Sequence, residues 1–179
     1  MIRKKEVTLH CYTPKVDVQY DLPSEQREFT GLPQDIIRRD AENPLKHFIV
    51  IKARGQVAGF FELDESDDRK AYSDNPHTLL LRGYSVDPAF QGQGIATGSI
   101  YALPDFIRQE FPEADEVVLG VNARNTPAQR IYQRAGFEDT GRRLMRSKGE
   151  QIVMSLRVKA AERAADALFF CLQSSAQAK

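Results

Sequence analysis

The sequence predicts a mixed α/β fold (α+β mixed), a single sheet with helices on both faces, and three observations carry that prediction. Two pairs of apolar, strand-like runs read as hairpins, His47–Ala53 with Val57–Leu63 and Phe137–Met145 with Gln151–Arg157. Between them, two further apolar runs, Leu79–Val86 and Glu116–Val121, are each followed by a helix-like segment. At 179 residues and 20.3 kDa, with 41% apolar residues, the chain suits one domain with a substantial core. Hairpins at the outside and strand–helix units in the middle give a sheet of mixed direction.

In chain order, Val7–Thr13 reads as a strand, followed by a polar segment with short helices around Pro23–Glu28 and Pro33–Asn43. The first hairpin turns at Arg54-Gly55-Gln56, and Asp64–His77 reads as a polar loop. After Leu79–Val86, Asp87-Pro88-Ala89-Phe90 leads out of the strand through a proline whose missing N–H ends ladder pairing. Thr97–Phe111 reads as a helix, but Pro104 inside it removes the bond to the Ile100 carbonyl, which predicts a bend or a break into two helices. A helix starting at Thr126 has Pro127 at its first position, Gln129 to complete a Thr-x-x-Gln capping box and Gly136 to close it. The last hairpin turns around Ser147-Lys148-Gly149-Glu150. Residues 1–158 then form the domain. Residues 159–179 are expected to be a C-terminal helical extension, with a loose apolar face over Lys159–Gln173, packed on the domain or at an oligomer contact.

The most informative segment is Gln91-Gly92-Gln93-Gly94-Ile95-Ala96, which joins a strand to a helix through two glycines. In that context the N–H groups of residues 92–96 lie at a helix N-terminus, unpaired and at the positive end of the dipole, where a pyrophosphate binds. Gly92 and Gly94 let the backbone approach phosphate oxygens with no Cβ in the way. The segment is not a Walker loop, since no Gly-Lys-Ser/Thr follows, and the dinucleotide fingerprint is incomplete. Gly83-Tyr84-Ser85-Val86-Asp87 lacks the final glycine of a serine-hydrolase elbow, so Ser85 is not expected to be a nucleophile.

Together, Gln91-x-x-Gly94-x-Ala96 and Asn125-x-x-Ala128-x-x-x-Tyr132-x-x-x-Gly136-Phe137 resemble the GNAT superfamily of coenzyme A-dependent N-acetyltransferases, most densely from Leu79 to about Val158. That resemblance implies a GNAT-like domain, its sheet mostly antiparallel with two central parallel strands splayed apart. It also implies acetyl-CoA as co-substrate, no metal, and acetyl transfer to a primary amine by direct attack in a ternary complex. Residues Gln91, Gly92, Gln93, Gly94, Ile95 and Ala96 would cradle the pyrophosphate, Asn125 would contact the pantetheine arm, and the backbone of Tyr84, Ser85 and Val86 would bond the pantetheine amides and thioester carbonyl. Tyr132 would stand near the sulfur.

A lysine-like amine with a pKa near 10.4 is almost wholly protonated at pH 7, so acetyl transfer needs a proton acceptor or a water path. Glu62, Asp64, Glu116 and Tyr84 are candidates, with Glu62 preferred over ordered water as the catalytic base. Many members of the superfamily place a glutamate on the strand before the phosphate turn, and Leu79–Val86 carries no acid. That departure keeps a non-catalytic acyl-CoA-binding sensor or interaction module open as the alternative. A phenol giving its proton fully to a thiolate is uphill by about 2 kcal/mol on unperturbed values, so Tyr132 is expected to stabilise the departing sulfur by a hydrogen bond.

The remaining features narrow the partners. Glu62, Asp64, Glu65, Asp67 and Asp68 read as a solvated acidic run, and Arg142, Arg143, Arg146 and Lys148 as exposed charges with no assigned role. Twenty-five basic and twenty-five acidic residues leave no net charge, which gives no support for nucleic acid or an anionic membrane as partner. The acceptor is then a small-molecule amine or a protein amine, and homodimerisation, common in the superfamily, has no surface fixed by sequence. Cys11 and Cys171 are read as reduced thiols, and no metal-ligand spacing is present. With no leader-like segment and no apolar run of about eighteen residues, a cytoplasmic protein is expected.

Overall fold

A strand whose residues are buried on both faces lies inside the sheet of this computed structural model, which describes residues 6–158. It is β3 (Gln56–Asp64), buried from Ala58 to Asp64. It pairs with β2 (Lys46–Ala53) in the expected hairpin, and β1 (Val7–Cys11) pairs antiparallel with β2. The sheet has seven strands in the order β1-β2-β3-β4-β5-β7-β6, with β4 at Thr78–Val86, β5 at Glu116–Asn122, β6 at Glu138–Arg146 and β7 at Gly149–Arg157. Only β4 and β5 run parallel; the other five pairings are antiparallel.

Alternation along the strands sorts the core into two layers. Ile49, Ile51, Phe61, Leu63, Leu79 and Leu81 pack with Ile95, Ile100, Leu103 and Ile107 of α3 (Ile95–Glu110) and with Tyr132 of α4 (Thr126–Arg134). Val50 and Phe60 point to the other face and pack with Val18 and with Ile36 of α2 (Pro33–Asp40), which follows the one-turn helix α1 (Ser24–Arg27). Helices therefore cover both faces, as the sequence predicts. Lys46, Glu62 and Asp64 share the alternation of Val50 and Phe60 and belong to the α2 side.

Several local expectations are revised. Helix α3 runs unbroken through Pro104, because its apolar stripe is buried against the sheet on both sides of the proline. Asn125, not Thr126, caps α4: its Oδ1 accepts the Ala128 N–H at 3.3 Å, and Gln129 bonds the Asn122 and Ala123 carbonyls instead of closing a capping box. The turn bond from Asn125 N–H to the Asn122 carbonyl at 2.9 Å places Asn125 one step before the first helical residue, where its side chain reaches back. Gly136 closes the helix as expected, at φ 97°, with Gly136 N–H to the Gln133 carbonyl and Phe137 N–H to the Tyr132 carbonyl, both 3.0 Å. The polar segment after β3 contains a 3-10 turn at Asp67–Ala71. The expected extension at 159–179 lies outside the described residues. Among the described residues no helix is long and apolar enough to cross a membrane.

The feature that shapes the cleft is in β4. Phe60 pairs with Ser85 and Glu62 with Arg82, so three steps along β4 match two along β3, and β4 carries one extra residue. Gly83, at φ 62°, absorbs it. Beyond this bulge β4 parts from β5, since their parallel ladder runs only from Thr78–Glu116 to Leu81–Leu119. A Cβ at Gly83 would lie 2.8 Å from Ile36 Cδ1 as well as in the left-handed region. Gly83→Ala is accordingly expected to cost about 1–2 kcal/mol, read as a lowered urea midpoint at unchanged m-value.

Candidate active site

The parted strands leave an open edge. Asp87 N–H reaches the Ala58 carbonyl on β3 at 3.0 Å, so alternation turns the peptide groups of Val86 and Tyr84 toward the gap on the β5 side. The Val86 carbonyl is met there by Gln91 Nε2 at 2.8 Å, and the Gln91 amide also exchanges bonds of 3.0 and 2.8 Å with Gln26 of α1. Gln91 thus ties the turn to β4 and α1. Ser85 is buried, its Oγ 2.8 Å from the Tyr20 hydroxyl, which also donates to the Ser85 carbonyl at 3.2 Å. A hydroxyl bonded this way with no histidine beside it is a structural group.

The turn has the form that the sequence anticipates. Gly92 and Gly94 adopt φ 72° and 85°, and Gly94 stands as the N-cap of α3 with no side chain to cap it. Among the described residues no carbonyl or side chain accepts the N–H of Gly92, Gln93, Gly94, Ile95 or Ala96. Nothing lies within 4 Å of where a Cβ at Gly92 would be. A row of unengaged amides at the start of a sixteen-residue helix is an anion-binding arrangement.

Two tyrosines stand where the gap meets the α3–α4 layer. Tyr84 donates to Ser99 Oγ at 2.6 Å, because the Ser99 hydroxyl is itself directed to the Ala96 carbonyl at 3.0 Å. Tyr132 is 8% exposed, with its ring edge-on to Tyr84 at 6.5 Å and tilted against Phe137 at 5.6 Å. Burial pushes both phenols up, so both stay protonated at neutral pH. Unlike Tyr84, the Tyr132 hydroxyl has no hydrogen-bond partner among the described residues. Asn125, half-buried at the start of α4, uses Oδ1 for its cap.

The acids separate cleanly. Glu116 sits at the closed end of the parallel pair, held by Ser73 Oγ at 2.6 Å and Ser155 Oγ at 2.7 Å, and these hydrogen bonds outweigh its burial to keep its pKa low. Asp64 accepts from Ser66 N–H at 2.7 Å and Arg82 Nη1 at 3.1 Å and is likewise held low despite burial. Both are structural carboxylates. Glu62 differs: it is 0% exposed and neither carboxyl oxygen has a hydrogen-bond partner. Burial pushes it up to about 7, against the attraction of Lys46 and Arg82. The reading of residues 62–68 as a solvated acidic run fails for Glu62 and Asp64, which β2, α2 and β4 enclose.

Glu62 lines a cavity of about 230 Å³ between the α1–α2 connection and the splayed strands, with Phe29, Ile36, Arg39, Gly83, Gly120 and Gln151. Tyr72, Arg82 and Gln151 also line an adjoining hollow of about 450 Å³, with Arg146 at its wall. A Cβ at Gly120 would lie 2.5 Å from Gln151 Oε1 and 2.9 Å from Tyr72 Cε1, so glycine there keeps the cavity open. Sequence reasoning missed Asp40, Lys46, Tyr72, Arg82 and Gln151, which no motif marks. A glutamate inside Gly59-Phe60-Phe61-Glu62-Leu63, an otherwise apolar run, was the available signal. Among the described residues no group of three His, Cys, Asp or Glu side chains could hold a metal ion.

Known proteins resemble this chain in sequence and in fold. An uncharacterized N-acetyltransferase of Bacillus subtilis (strain 168), YbbJ, is 32% identical over 154 residues, covering 84% of this chain and 96% of its own. The N-alpha-acetyltransferase RimI of Mycobacterium tuberculosis is 28% identical over 140 residues, covering 76% and 82%. The aminoglycoside acetyltransferase AAC(6')-Ib, solved with ribostamycin and coenzyme A, superposes with a TM-score of 0.69 at 19% identity over 88% of this chain and 97% of that one. Residues 15–137, which run from ahead of α1 through the parted strands to the end of α4, match the acetyltransferase (GNAT) family, and the chain belongs to it.

Proposed function

We infer that this enzyme transfers the acetyl group of acetyl-coenzyme A to a primary amine by direct attack in a ternary complex, with the donor between β4 and β5 and the acceptor in the cavity before Glu62. The observation that carries the reading is Glu62 itself: a fully buried carboxyl, unpartnered at both oxygens, facing a cavity beside the splayed strands. A carboxyl poised at about 7 is matched to taking a proton at neutral pH. It stands on β3, across from Arg82 of β4, and supplies the acid that the strand before the phosphate turn lacks.

Each part of the donor site has a task. The unengaged amides from Gly92 to Ala96 take the pyrophosphate, with Gln91 fixing their turn. The peptide groups of Tyr84 and Val86 face the gap where the pantetheine amides and thioester lie, Ser85 holds the strand through Tyr20, and Asn125 borders the arm from α4. Bound there, acetyl-coenzyme A supplies an acyl group activated as a thioester. Glu62, as carboxylate, takes the proton of the incoming ammonium through a side-chain movement or an intervening water, since its oxygens lie just behind the cavity wall, and the neutral amine can then attack. Tyr132, kept protonated by burial and with its hydroxyl unspent, donates a hydrogen bond to the departing sulfur.

The acceptor class is an amine small or slender enough for about 230 Å³. The structural neighbours solved with ribostamycin and with spermine widen the set to be tested and do not choose within it. Thiol release across small primary amines, amino acids, polyamines, aminoglycosides and peptide N-termini is expected to show at least one amine-dependent rate. Acetyl-coenzyme A binding without such release in any class would defeat the reading. Tyr132→Phe is expected to lower kcat at least about tenfold while changing the dissociation constant of acetyl-coenzyme A less than about twofold; an unchanged kcat in single-turnover measurements removes Tyr132 from the chemistry. For Glu62 the sign is set by its role as carboxylate: kcat/KM should fall as pH drops through about 7. Glu62→Gln should lose that acid limb together with most of the rate, and a retained limb assigns the proton acceptor elsewhere.

A further inference from the structure

Four charged elements converge on Glu62. From β2, Lys46 Nζ lies 3.7 Å from Glu62 Oε1, 3.6 Å from Asp64 Oδ2 and 3.5 Å from Asp40 Oδ1, with only 10% of its side chain exposed. From α2 comes Asp40, 11% exposed, whose other carboxyl oxygen is bound by its neighbour Arg39. From β4, Arg82 Nε is 3.8 Å from Glu62 Oε1, while Arg82 Nη1 serves Asp64 and, from the 3-10 turn, Asp68 at 2.9 Å. Asp64 is the remaining acid on β3 itself, and Tyr72 faces the same cavity.

The distances divide this cluster by function. Arg82 has its closer bonds, 3.1 and 2.9 Å, with Asp64 and Asp68, and touches Glu62 only at 3.8 Å through Nε. Lys46 is almost equidistant from three carboxyls and within hydrogen-bond length of none. Glu62 therefore receives positive charge without a hydrogen bond, so that its lone pairs stay available. Asp40 supplies the opposing charge: paired with Arg39, it shares the Lys46 ammonium with Glu62, at 3.5 and 3.7 Å, so its carboxylate disfavours a second negative charge on Glu62 beside it. Side-chain alternation brings Lys46 and Glu62 to one face of neighbouring antiparallel strands, and α2 lays Asp40 over the pair.

We propose that Asp40 and Lys46 are opposed positioning residues acting through Glu62, Asp40 holding the proton on the Glu62 carboxyl and Lys46 drawing it off. Asp40 receives and returns no substrate atom in this arrangement, and neither does Lys46. Their value to catalysis rests on the reading of Glu62 as the proton acceptor, but their coupling to Glu62 does not. One consequence is that α2, which roofs the acceptor cavity with Ile36 and Arg39, also carries the charge that sets Glu62, so an acceptor that shifts the Asp40 carboxylate changes the base that will deprotonate it.

Nuclear magnetic resonance of protein labelled with ¹³C at the glutamate carboxyls tests this without any acceptor. The Glu62 resonance is assigned by its loss in Glu62→Gln, and its titration midpoint is read in the full chain. The midpoint, about 7 in the parent, is expected to fall by about one pH unit in Asp40→Asn and to rise by a similar amount in Lys46→Met, with Lys46→Arg returning it toward the parent. A purely structural role for these side chains would lower stability without moving the midpoints in opposite directions. Shifts of the same sign, or a midpoint unmoved in Asp40→Asn, overturn the proposal, and Asp40→Asn, nearly isosteric, decides it alone should Lys46→Met fail to fold. A titration that behaves as expected beside a Glu62→Gln enzyme that keeps its acid limb would leave the coupling standing and refute only the catalytic role.

Discussion

The single extra residue in β4 is the constraint on which the rest of the structure depends. Gly83 accommodates it at a positive φ, and from that point β4 stays bonded to β3 but leaves β5. Two consequences follow from one local distortion. The freed edge of β4 presents backbone groups to a gap that ends at the open amides of the α3 N-terminus, and the extra residue moves Tyr84 into the α3–α4 layer, where it faces Tyr132. Without the bulge, strand alternation would direct Tyr84 to the α2 side, and the parallel ladder would continue to the end of β5. The cleft is thus a product of strand register, with Ile36 packed closely over Gly83.

The two faces of the sheet then do different work. One carries the buried aromatic layer, in which burial keeps the phenols of Tyr84 and Tyr132 protonated. The other carries a compact set of charges around Glu62, enclosed by α2 and by the flanking strands β2 and β4. Lone acids are rarely fully buried, and one that lacks hydrogen bonds at both oxygens is costly to the fold unless it is neutral or attracted by nearby cations. Glu62 has both remedies in part, a raised pKa and two cations at nearly 4 Å, which leaves it close to the balance point between its two protonation states.

What the sequence made legible was local. The turn from Gln91 to Ala96, the proline-led start of α4 and its glycine end are each decided within a few residues, and each lies where the residues indicate. Even there, the choice between Asn125 and Thr126 as cap was settled by a turn bond to Asn122, three residues back. The environment of Glu62 was not legible because its partners come from positions 40, 46 and 82, which no spacing rule connects; reading 62–68 as one acidic run joined residues that the strand end separates. Pro104 shows the same limit from the other side, since a buried apolar stripe outweighs the loss of one helical bond.

Gly120 lies on β5 beside the gap, and the atoms nearest to where its Cβ would stand are the ends of Gln151 and Tyr72. Adding a single methyl group there would meet neither the nucleotide turn nor the bulge, and would make the ends of those two side chains shift. On the proposed reading, the girth open to the acceptor is set at this one strand position, away from the nucleotide turn, so one scaffold can change clientele without relearning its chemistry.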